Sequence, residues 1–539
     1  MKSNVLITCL WLGCALAFPS CRKTESPIAG NGTGKTGAKQ NNATITGAVP
    51  TGTFRIFTYL TWGAGDRTLG VDNNSYSPGA VLKQLNYVAQ TSRDWRITDL
   101  GNGYHIIINA YTGQAVTIGN TAEHSSVIQY PFGNNVPDNQ QWKIEYQGYG
   151  VYRIRAKQAL TKGFHVDPSS TAHGATIKIQ TYSAAIQGEG YFLLEPVTAA
   201  YMDRSSTNFF RRDDATGWNA GDGTNSVELS NGKVLWMMDD SNISTFANGT
   251  ITCNQAMVNN VGLLQNKSNW TSKPATLLGA GGSSWVKSQP GTTKYNWITA
   301  GFQFGDIVYM YCTTMNGTTE VGPDLWARYQ VSTNTVISYA NLPATGSLSF
   351  GKGFVVGPDN YIYAYGTKAG FIVAELHVAR FLKTAIAGGT WTYWNGSAWV
   401  TNPASSVAVG ESAAPFPFVA KVGSKYVMVS TELSTNCGEG TAIFTSVSNS
   451  LTGPFTADGA AGSPYRKQVY NIPDLYNGTA ARFYWGIPHP EYVNAQNELL
   501  ITYNVNSDGS NCGTSCSAGR KDPGRYRPRG IRVPMSLIE

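Results

Sequence analysis

Hydrophobic and polar positions alternate in short runs along residues 52–197, and the same succession of runs occurs three times. The copies begin at Gly52, Gly103 and Gly150, and each ends on a strand that carries a large aromatic residue. These aromatic residues are Trp95, Trp142 and Phe192. Short alternating strands that recur with turn residues between them are typical of one structural unit repeated. Three units of about four strands each predict a β-trefoil, a closed barrel that leaves no unpaired strand edge.

A second pattern begins near residue 200, where pairs of alternating apolar runs are broken by a polar turn of Gly, Asn or Asp. The pairs are centred on residues 227–236, 300–309, 353–363, 418–428 and 490–503. No stretch shows a convincing helical period. Five hairpin-centred units predict a five-bladed β-propeller, with a pair of β-sandwiches as the alternative. The chain is therefore predicted to be all-β, with a trefoil over residues 51–198 and a propeller over residues 199–539.

The first 50 residues predict a targeting segment and a linker rather than a folded domain. An apolar run from Val5 to Phe18 is too short to span a membrane comfortably, so residues 1–21 are interpreted as a signal peptide. Cys21 follows the small residue Ser20, which resembles a bacterial lipoprotein cleavage site and predicts lipidation of Cys21, with ordinary secretion as the alternative. Residues 22–50 are polar, small and aperiodic, which predicts a flexible linker. We therefore expect a protein of the cell envelope, lipid-anchored to the outer membrane or cell surface.

Composition narrows the classes of function. Charged residues make up 14% of the chain, well below the ~25% of average proteins, while aromatic residues reach 12%. This balance favours an extracytoplasmic β protein that handles neutral polymers. The net charge of +7 is modest, and no nucleic-acid-binding motif accompanies it, so we expect no nucleic-acid partner. Residues 29–36 fit the spacing of a nucleotide-binding P-loop, but no strand precedes them and no helix follows, so nucleotide binding is not expected.

Cysteine and histidine usage bears on disulfides and metals. Five cysteines follow Cys21, at positions 253, 312, 437, 512 and 516. An oxidising compartment permits disulfides, and Cys512 and Cys516 flank a short turn that would allow them to pair. The odd count leaves one thiol unmatched. The six histidines are scattered, and there is no Cys-x-x-Cys pair, so we expect no metal and no cofactor. We also expect a monomer.

The first domain resembles the ricin-type lectin β-trefoil, whose mark is a Gln-x-Trp near the end of each repeat. The motif is intact as Gln140-Gln141-Trp142, and the other two repeats have Arg93-Asp94-Trp95 and Gly190-Tyr191-Phe192. The motif tryptophan belongs to the core in that family. The sugar-binding aspartate of each lobe would correspond to Asp72 in the first lobe and Asp167 in the third, where the second has Gly119. The resemblance implies glycan binding, although an aspartate after a strand is more often a turn residue.

The second domain resembles the family named domain of unknown function 5005, which is related to the 4185 type and, at fold level, to arabinanase-like glycosidases. Its members carry Gly-x-Asp-Gly early and a Trp-x-Phe-Gly-Asp-Thr strand end later. The corresponding segments here are residues 221–226 and 235–241, and Asp239 stands where the family has Gly, so that Asp240 aligns with the family aspartate. Some related domains are implicated in cleaving furanose polysaccharides. The resemblance therefore implies a carbohydrate-active propeller.

Glycoside hydrolysis needs two carboxyl groups on either side of one bond. Asp222 lies in a segment predicted to be a Gly-flanked loop, and Asp240 ends the next strand, so a hairpin between them would bring both to one rim of the propeller funnel. Glu411, before the fourth hairpin, is a weaker catalytic candidate. We expect Asp222 and Asp240 to lie on the rim and to contribute little to packing, with turn capping as the structural alternative.

Four further residues are candidates for substrate binding. Trp297 and Trp485 would offer stacking faces for sugar rings, although the default for tryptophan is the core. His489 would bind a hydroxyl or orient a carboxylate, and Asn260 lies in a segment that matches the family. The sequence thus predicts a surface glycoside hydrolase with an appended lectin domain. A glycan-binding surface protein without catalysis and a structural or adhesion protein are the alternatives.

Overall fold

The computed structural model describes residues 49–539, except residues 50, 62–66, 88–90, 134, 184–187, 198, 214–216, 244–245, 254–256, 268, 288–291, 318, 371–372, 495–496, 509 and 514–515. The predicted signal peptide, Cys21 and the linker up to residue 48 lie outside the described residues. No described helix is long and apolar enough to cross a membrane.

The first domain contains twelve strands, which alternate between a barrel and a cap. They are β1 Gly52–Thr58, β2 Arg67–Val71, β3 Leu82–Asn86, β4 Asp94–Asp99, β5 His105–Asn109, β6 Ala115–Ile118, β7 Ser125–Tyr130, β8 Trp142–Tyr146, β9 Val151–Ala156, β10 Ala159–Asp167, β11 Thr176–Thr181 and β12 Phe192–Pro196. Strands β1, β4, β5, β8, β9 and β12 pair in that order, and β12 returns to β1 to close the barrel. The hairpins β2–β3, β6–β7 and β10–β11 meet one another across the cap. This is the predicted β-trefoil.

The aromatic anchors of the three repeats occupy equivalent core positions, as the sequence predicts. Trp95, Trp142 and Phe192 are each fully buried in one cluster with the apolar residues of the barrel strands. The indole N–H of Trp95 donates to the Leu69 carbonyl at 3.1 Å, and that of Trp142 donates to the Val116 carbonyl at 3.0 Å. Each bond ties a barrel strand to the cap hairpin of its own repeat.

The second domain is a five-bladed β-propeller, which confirms the predicted fold class. Its strands are β13 Tyr201–Met202, β14 Trp218–Glu228, β15 Lys233–Ile243, β16 Ile251–Thr252, β17 Met257–Val258, β18 Val261–Asn266, β19 Ala275–Leu277, β20 Tyr295–Phe304, β21 Ile307–Asn316, β22 Thr319–Glu320, β23 Leu325–Gln330, β24 Thr335–Asn341, β25 Phe354–Val356, β26 Tyr361–Ala369, β27 Ala374–Leu382, β28 Thr392–Trp394, β29 Trp399–Val400, β30 Gly410–Ser412, β31 Phe418–Val422, β32 Lys425–Thr431, β33 Ala442–Ser448, β34 Lys467–Asn471, β35 Leu475–Tyr476, β36 Thr479–Ala480, β37 Phe483–His489, β38 Glu498–Val505, β39 Arg520–Lys521 and β40 Pro528–Pro534. Two short helices, α1 Arg204–Phe209 and α2 Met535–Ile538, accompany the fifth blade.

Each blade begins with a strand on the central channel and continues outward. The innermost strands are β14, β20, β25, β31 and β37, and each contacts the next around the ring until β37 meets β14. In the fifth blade, β37, β38 and β40 are followed by β13, so the start of the domain supplies the outermost strand of the last blade. The fifth hairpin departs from its predicted bounds: its first strand is Phe483–His489, and Pro490–Tyr492 form a 3-10 turn.

Two disulfides connect distant parts of the propeller and correct the expected pairing of Cys512 with Cys516. Cys253 bonds Cys516, beside the short pairing of β16 with β39, and Cys437 bonds Cys512. The first bridge links the first blade to the fifth across 263 residues, so it closes the ring. Cys312 is a free and buried thiol.

The trefoil contacts the propeller through two tyrosines, Tyr146 and Tyr149, which lie where its second lobe meets its third. The Tyr146 hydroxyl donates to Asp474 at 2.8 Å, and the Arg529 guanidinium lies over the Tyr149 ring at 4.4 Å. Asp474 and Arg529 are both fully buried and 4.0 Å apart, so each charge has a partner where it leaves water. The contact fixes the trefoil against the fourth and fifth blades.

Candidate active site

The site lies at the end of the channel where the five innermost strands begin, which we call the upper face. Asp222 stands between Gly221 and Gly223 in β14, within a strand whose register against β15 shifts at these glycines. A Cβ on Gly223, whose φ is +87°, would lie 2.6 Å from the amide nitrogen of Asp239. Glycine is therefore needed for the close approach of β15, and the irregular register turns the Asp222 side chain toward it. The predicted loop is thus a bulged strand.

Three carboxyl groups of the first blade meet here. Asp222 accepts a hydrogen bond from the Tyr484 hydroxyl at 2.6 Å, and it is only 7% exposed. Asp240 is partly exposed and accepts hydrogen bonds from the Trp297 indole at 3.2 Å and the Asn259 amide at 3.3 Å. Asp239 is fully buried; one oxygen accepts the Ile298 amide at 2.6 Å, and the other has no hydrogen-bond partner among the described residues.

Burial is the main cause that raises the pKa of all three carboxyl groups. Burial, and then the charge of Asp240, raise the pKa of Asp222 to about 7, against hydrogen bonds from Tyr484 and Tyr526. Burial also raises the pKa of Asp240, opposed by its hydrogen bonds from Trp297 and Asn259. The pKa of Asp239 is raised well above the ordinary range by burial and by Asp222. Like charges in a dry setting cannot all ionise, so this cluster retains protons near neutral pH.

Aromatic side chains adjoin the acids. Trp297 is partly exposed beside Asp240, and its ring meets Trp485 edge to face with centroids 6.1 Å apart. Trp485 is only 5% exposed and packs with Phe416 and Phe418, so it supports Trp297 rather than offering an open stacking face. Its φ of +55° is unusual for a bulky residue. Such strained conformations cluster at functional sites.

Lys352 is a site residue that our reading of the sequence missed. It lies between Gly351 and Gly353 just before β25, as Asp222 lies between two glycines in β14, and it is 3% exposed. A Cβ on Gly353 would lie 2.0 Å from the Val419 carbonyl oxygen, so this glycine permits the close approach of β31. Burial lowers the pKa of Lys352, opposed by Glu320, Asp324 and Asp239. The sequence signal that could have found Lys352 is a charged residue between two glycines at the start of an inner strand.

The sequence of this propeller matches one family over most of its length. Residues 203–535 match the domain of unknown function DUF5005. The chain belongs to the DUF5005 family. No curated protein matches the chain.

Several solved structures share parts of the fold with this DUF5005 protein. A Bacteroides ovatus protein described as an unproven hydrolase is 17% identical, covering 62% of this chain and 90% of its own, with a TM-score of 0.49. The designed three-fold symmetric protein ThreeFoil is 28% identical, covering 27% of this chain and 99% of its own, with a TM-score of 0.25. An exo-β-1,3-galactanase from Clostridium thermocellum is 25% identical over 28% of this chain and 31% of its own, with a TM-score of 0.25.

Three propeller residues that the sequence predicts to belong to the site, Glu411, Asn260 and His489, lie away from the acids or inside the protein. Glu411 forms an ion pair with Arg466 at 3.0 Å and lines a separate groove between the third and fourth blades. Asn260 is fully buried and hydrogen-bonds the backbone of Val286 in both directions, at 2.7 and 3.1 Å. These positions give Asn260 a packing role and separate Glu411 from the other two catalytic candidates.

His489 is also a packing residue in this fold. It is fully buried, and its two ring nitrogens lie 2.6 Å from the Ser226 hydroxyl and 2.7 Å from the Thr502 hydroxyl. Its ring also packs on Trp236 at 5.0 Å. A cavity of about 490 Å³ occupies the lower half of the channel, but its lining includes neither His489 nor the acids of the upper face.

The two trefoil aspartates occupy equivalent places in their lobes. Asp72 forms an ion pair with Lys83 at 2.8 Å, and Asp167 forms one with Lys178 at 3.2 Å, with the lysine eleven residues downstream in both. Asp167 also contacts His124 at 2.7 Å. Burial alone would raise the pKa of Asp167, but the hydrogen bonds from His124 and Lys178 outweigh it and lower that pKa. Both aspartates are therefore oriented acceptors at the surface of the cap.

No group of three or more His, Cys, Asp or Glu side chains in the described part of the chain is arranged to hold a metal ion.

Proposed function

We propose that this protein is a glycoside hydrolase whose active site is the acid cluster of the propeller's upper face. The observation that carries the proposal is the pair Asp222 and Asp240. One carboxyl is nearly buried with a pKa of about 7, and the other is partly exposed and held by two N–H donors. Two carboxyls whose surroundings give them different proton affinities suit the acid and base roles of glycoside hydrolysis.

The environments suggest how the roles divide. Asp240 faces the opening and takes the role of the group that attacks the sugar or activates water; burial raises its pKa, and the Trp297 and Asn259 donors oppose that rise. Asp222 holds the proton up to about pH 7 and is oriented by the Tyr484 hydroxyl. Trp297 offers a ring face beside the reacting bond, which suits the apolar face of a sugar.

The test is release of reducing sugar from polysaccharides by the full chain, with arabinan first because the resemblance points to furanose polymers. Asp240→Asn should lower turnover by about 10² to 10⁴, the usual cost of losing a positioned acid or base. Asp306→Asn is the matched control, since Asp306 lies in the opposite turn of the second blade, where its side chain accepts hydrogen bonds from Gln330 and Ser332. No cleavage of any polysaccharide by the unchanged protein, or equal turnover in Asp240→Asn and Asp306→Asn, contradicts the proposal.

Glycan capture without hydrolysis is the second candidate. The near-complete burial of Asp222 favours it, because a carboxyl with 7% exposure has little surface to offer a substrate. In that case the full chain binds polysaccharide without releasing sugar. Asp240→Asn would then weaken binding instead of blocking a reaction.

We keep the envelope location as part of the proposal, with Cys21 as the lipidated residue. It rests on the sequence alone, from the apolar run and the Ser20-Cys21 pair. The full chain expressed in a Gram-negative host should fractionate with membranes and incorporate labelled fatty acid, and Cys21→Ser should lose both. Membrane association that persists in Cys21→Ser would contradict lipidation of Cys21, and recovery of the unchanged chain in the soluble fraction would leave ordinary secretion as the better interpretation.

A further inference from the structure

A groove of about 940 Å³ runs along the flank of the propeller between the third and fourth blades, separate from the upper face. One wall is formed by the outer strands of the third blade, which carry Trp394, Glu375 and Glu411. The other wall is the loop between β33 and β34 of the fourth blade, which carries Phe455 and Tyr465. Its volume is in the range of ligand-binding clefts, which run to roughly 1,000 Å³.

Two carboxylates face each other across strands on one side of this groove. Glu375 in β27 lies directly opposite Glu411 in β30. Directly opposed residues of an antiparallel pair project to the same face of the sheet, and like charges in that position destabilise it. Arg466 neutralises Glu411 at 3.0 Å, and Lys368 approaches Glu375 at 3.7 Å. Each ion pair offsets part of this repulsion, and both carboxylates line the groove.

The groove is suited to binding rather than to catalysis. The Glu375 side chain is 52% exposed and that of Glu411 is 32% exposed, whereas the proposed acid Asp222 is 7% exposed, so the two groove carboxylates are open to solvent. Since each carboxylate already has a cationic neighbour, the groove offers little net attraction to a cationic ligand. Partly neutralised carboxylates remain good acceptors for hydroxyl groups.

Aromatic faces complete the match to a sugar chain. Tyr465 is 53% exposed, and Trp394 is partly exposed and supported by Trp399 with ring centroids 5.3 Å apart. Exposed rings beside hydroxyl acceptors match the two surfaces of a pyranose or furanose, one apolar and one polar. We propose that this groove is a second glycan-binding site of the propeller, which takes a neutral oligosaccharide segment through Tyr465, Trp394, Glu375 and Glu411.

The test uses the full chain carrying Asp72→Ala, Asp167→Ala and Asp240→Asn, so that the trefoil and upper-face sites are impaired. The probe is an array of neutral oligosaccharides built from arabinose, galactose, xylose, glucose and mannose. This protein should retain binding, and adding Tyr465→Ala or Glu411→Gln should each weaken it about tenfold, the effect of losing one stacking or charge-assisted contact. Tyr339→Ala is the matched control, because Tyr339 is an exposed tyrosine of the second blade, 42% exposed.

Two outcomes overturn the proposal: absence of residual binding in the background protein, or residual binding that the groove substitutions leave unchanged. Melting curves of every variant show whether the fold is retained, and Glu411→Gln keeps the side-chain volume if Tyr465→Ala proves unstable. The proposal is independent of the hydrolase assignment. A protein that binds through the groove but releases no sugar would retain this site while the proposed catalysis fails.

Discussion

The trefoil and the propeller place aspartates in similar sequence settings and give them opposite environments. Asp72 and Asp167 follow a strand in the trefoil, remain partly exposed and are paired with lysines. Asp222 and Asp240 belong to one hairpin of the propeller, where burial raises both pKa values and the charge of Asp240 adds to the rise at Asp222. The trefoil pair is therefore suited to accepting hydrogen bonds from a ligand, and the propeller pair to holding and moving a proton.

The difference shows that the role of an aspartate carboxylate depends on its charged neighbours, since the residue type is the same in both domains. The lowered pKa of Asp167 keeps it ionised at any physiological pH. The hydrogen bonds to Asp222 come from tyrosine hydroxyls, which are neutral and leave the repulsion from Asp240 uncompensated. Substitutions that exchange these roles test the comparison directly.

The largest expected effect is on turnover. Asp222→Asn should lower the turnover of a short soluble oligosaccharide by about 10² to 10⁴, because the amide cannot donate or take up the proton. Asp72→Asn and Asp167→Asn should leave that turnover unchanged, since the trefoil is not needed for a substrate that reaches the funnel by diffusion. Steady-state kinetics on the three variants measures this. A similar loss in all three would remove the distinction between the two regions.

A smaller effect is expected on retention of insoluble polysaccharide. Asp72→Ala combined with Asp167→Ala should weaken retention about 10- to 100-fold, as expected from losing a charge-assisted hydrogen bond in each of two sites. Pull-down isotherms with the full chain measure it, and Asp306→Asn again serves as the control. Unchanged retention would move the binding site to the second lobe, where Gly119 replaces the aspartate, or elsewhere.

The smallest effect is on thermal stability, and its sign depends on pH. The folded protein keeps the Asp222 proton up to about pH 7, whereas an unfolded chain releases it near its ordinary value of 3.8. The free energy of unfolding therefore falls as pH rises through that window, by up to about 1.4 kcal/mol per pH unit. Asp222→Asn cannot ionise, so its melting temperature relative to the unchanged protein should rise between pH 4 and pH 8.

Asp167 of the trefoil should show the opposite trend. Asp167 has a lowered pKa, so the stability it contributes is present above its ordinary pKa and is lost only in acid. Asp167→Asn should therefore be no more stable than the unchanged protein at pH 8. A melting-temperature difference for Asp222→Asn that is flat across pH 4–8 would show that Asp222 is ionised in the folded state, against its proposed role.

The periodicity of the chain determined the architecture. Three repeats anchored on Trp95, Trp142 and Phe192 were enough for the trefoil, because a barrel closed by identical units has few alternatives. Five hairpins were enough for the propeller, since the inward-facing apolar strand of each blade must be buried against its neighbours. The spacing of Asp222 and Asp240 across one hairpin also brought them together, because an antiparallel pair places the start of one strand opposite the end of the next.

Only the tertiary structure decided which polar residues are exposed and which chain segments meet. Asn260 and His489 have polar side chains of the kind that bind ligands, but neighbouring blades cover them completely. Glu411 comes shortly before an innermost strand in the sequence, which suggested a place at the funnel. In the structure it lies on the flank, because β30 pairs with the third strand of its blade. The pairing of Cys253 with Cys516, and the meeting of Lys352 with Asp239, depend on contacts between blades far apart in the chain. Local sequence specifies strands and turns, whereas ring closure brings the remote side chains together and sets the burial that shifts their pKa values.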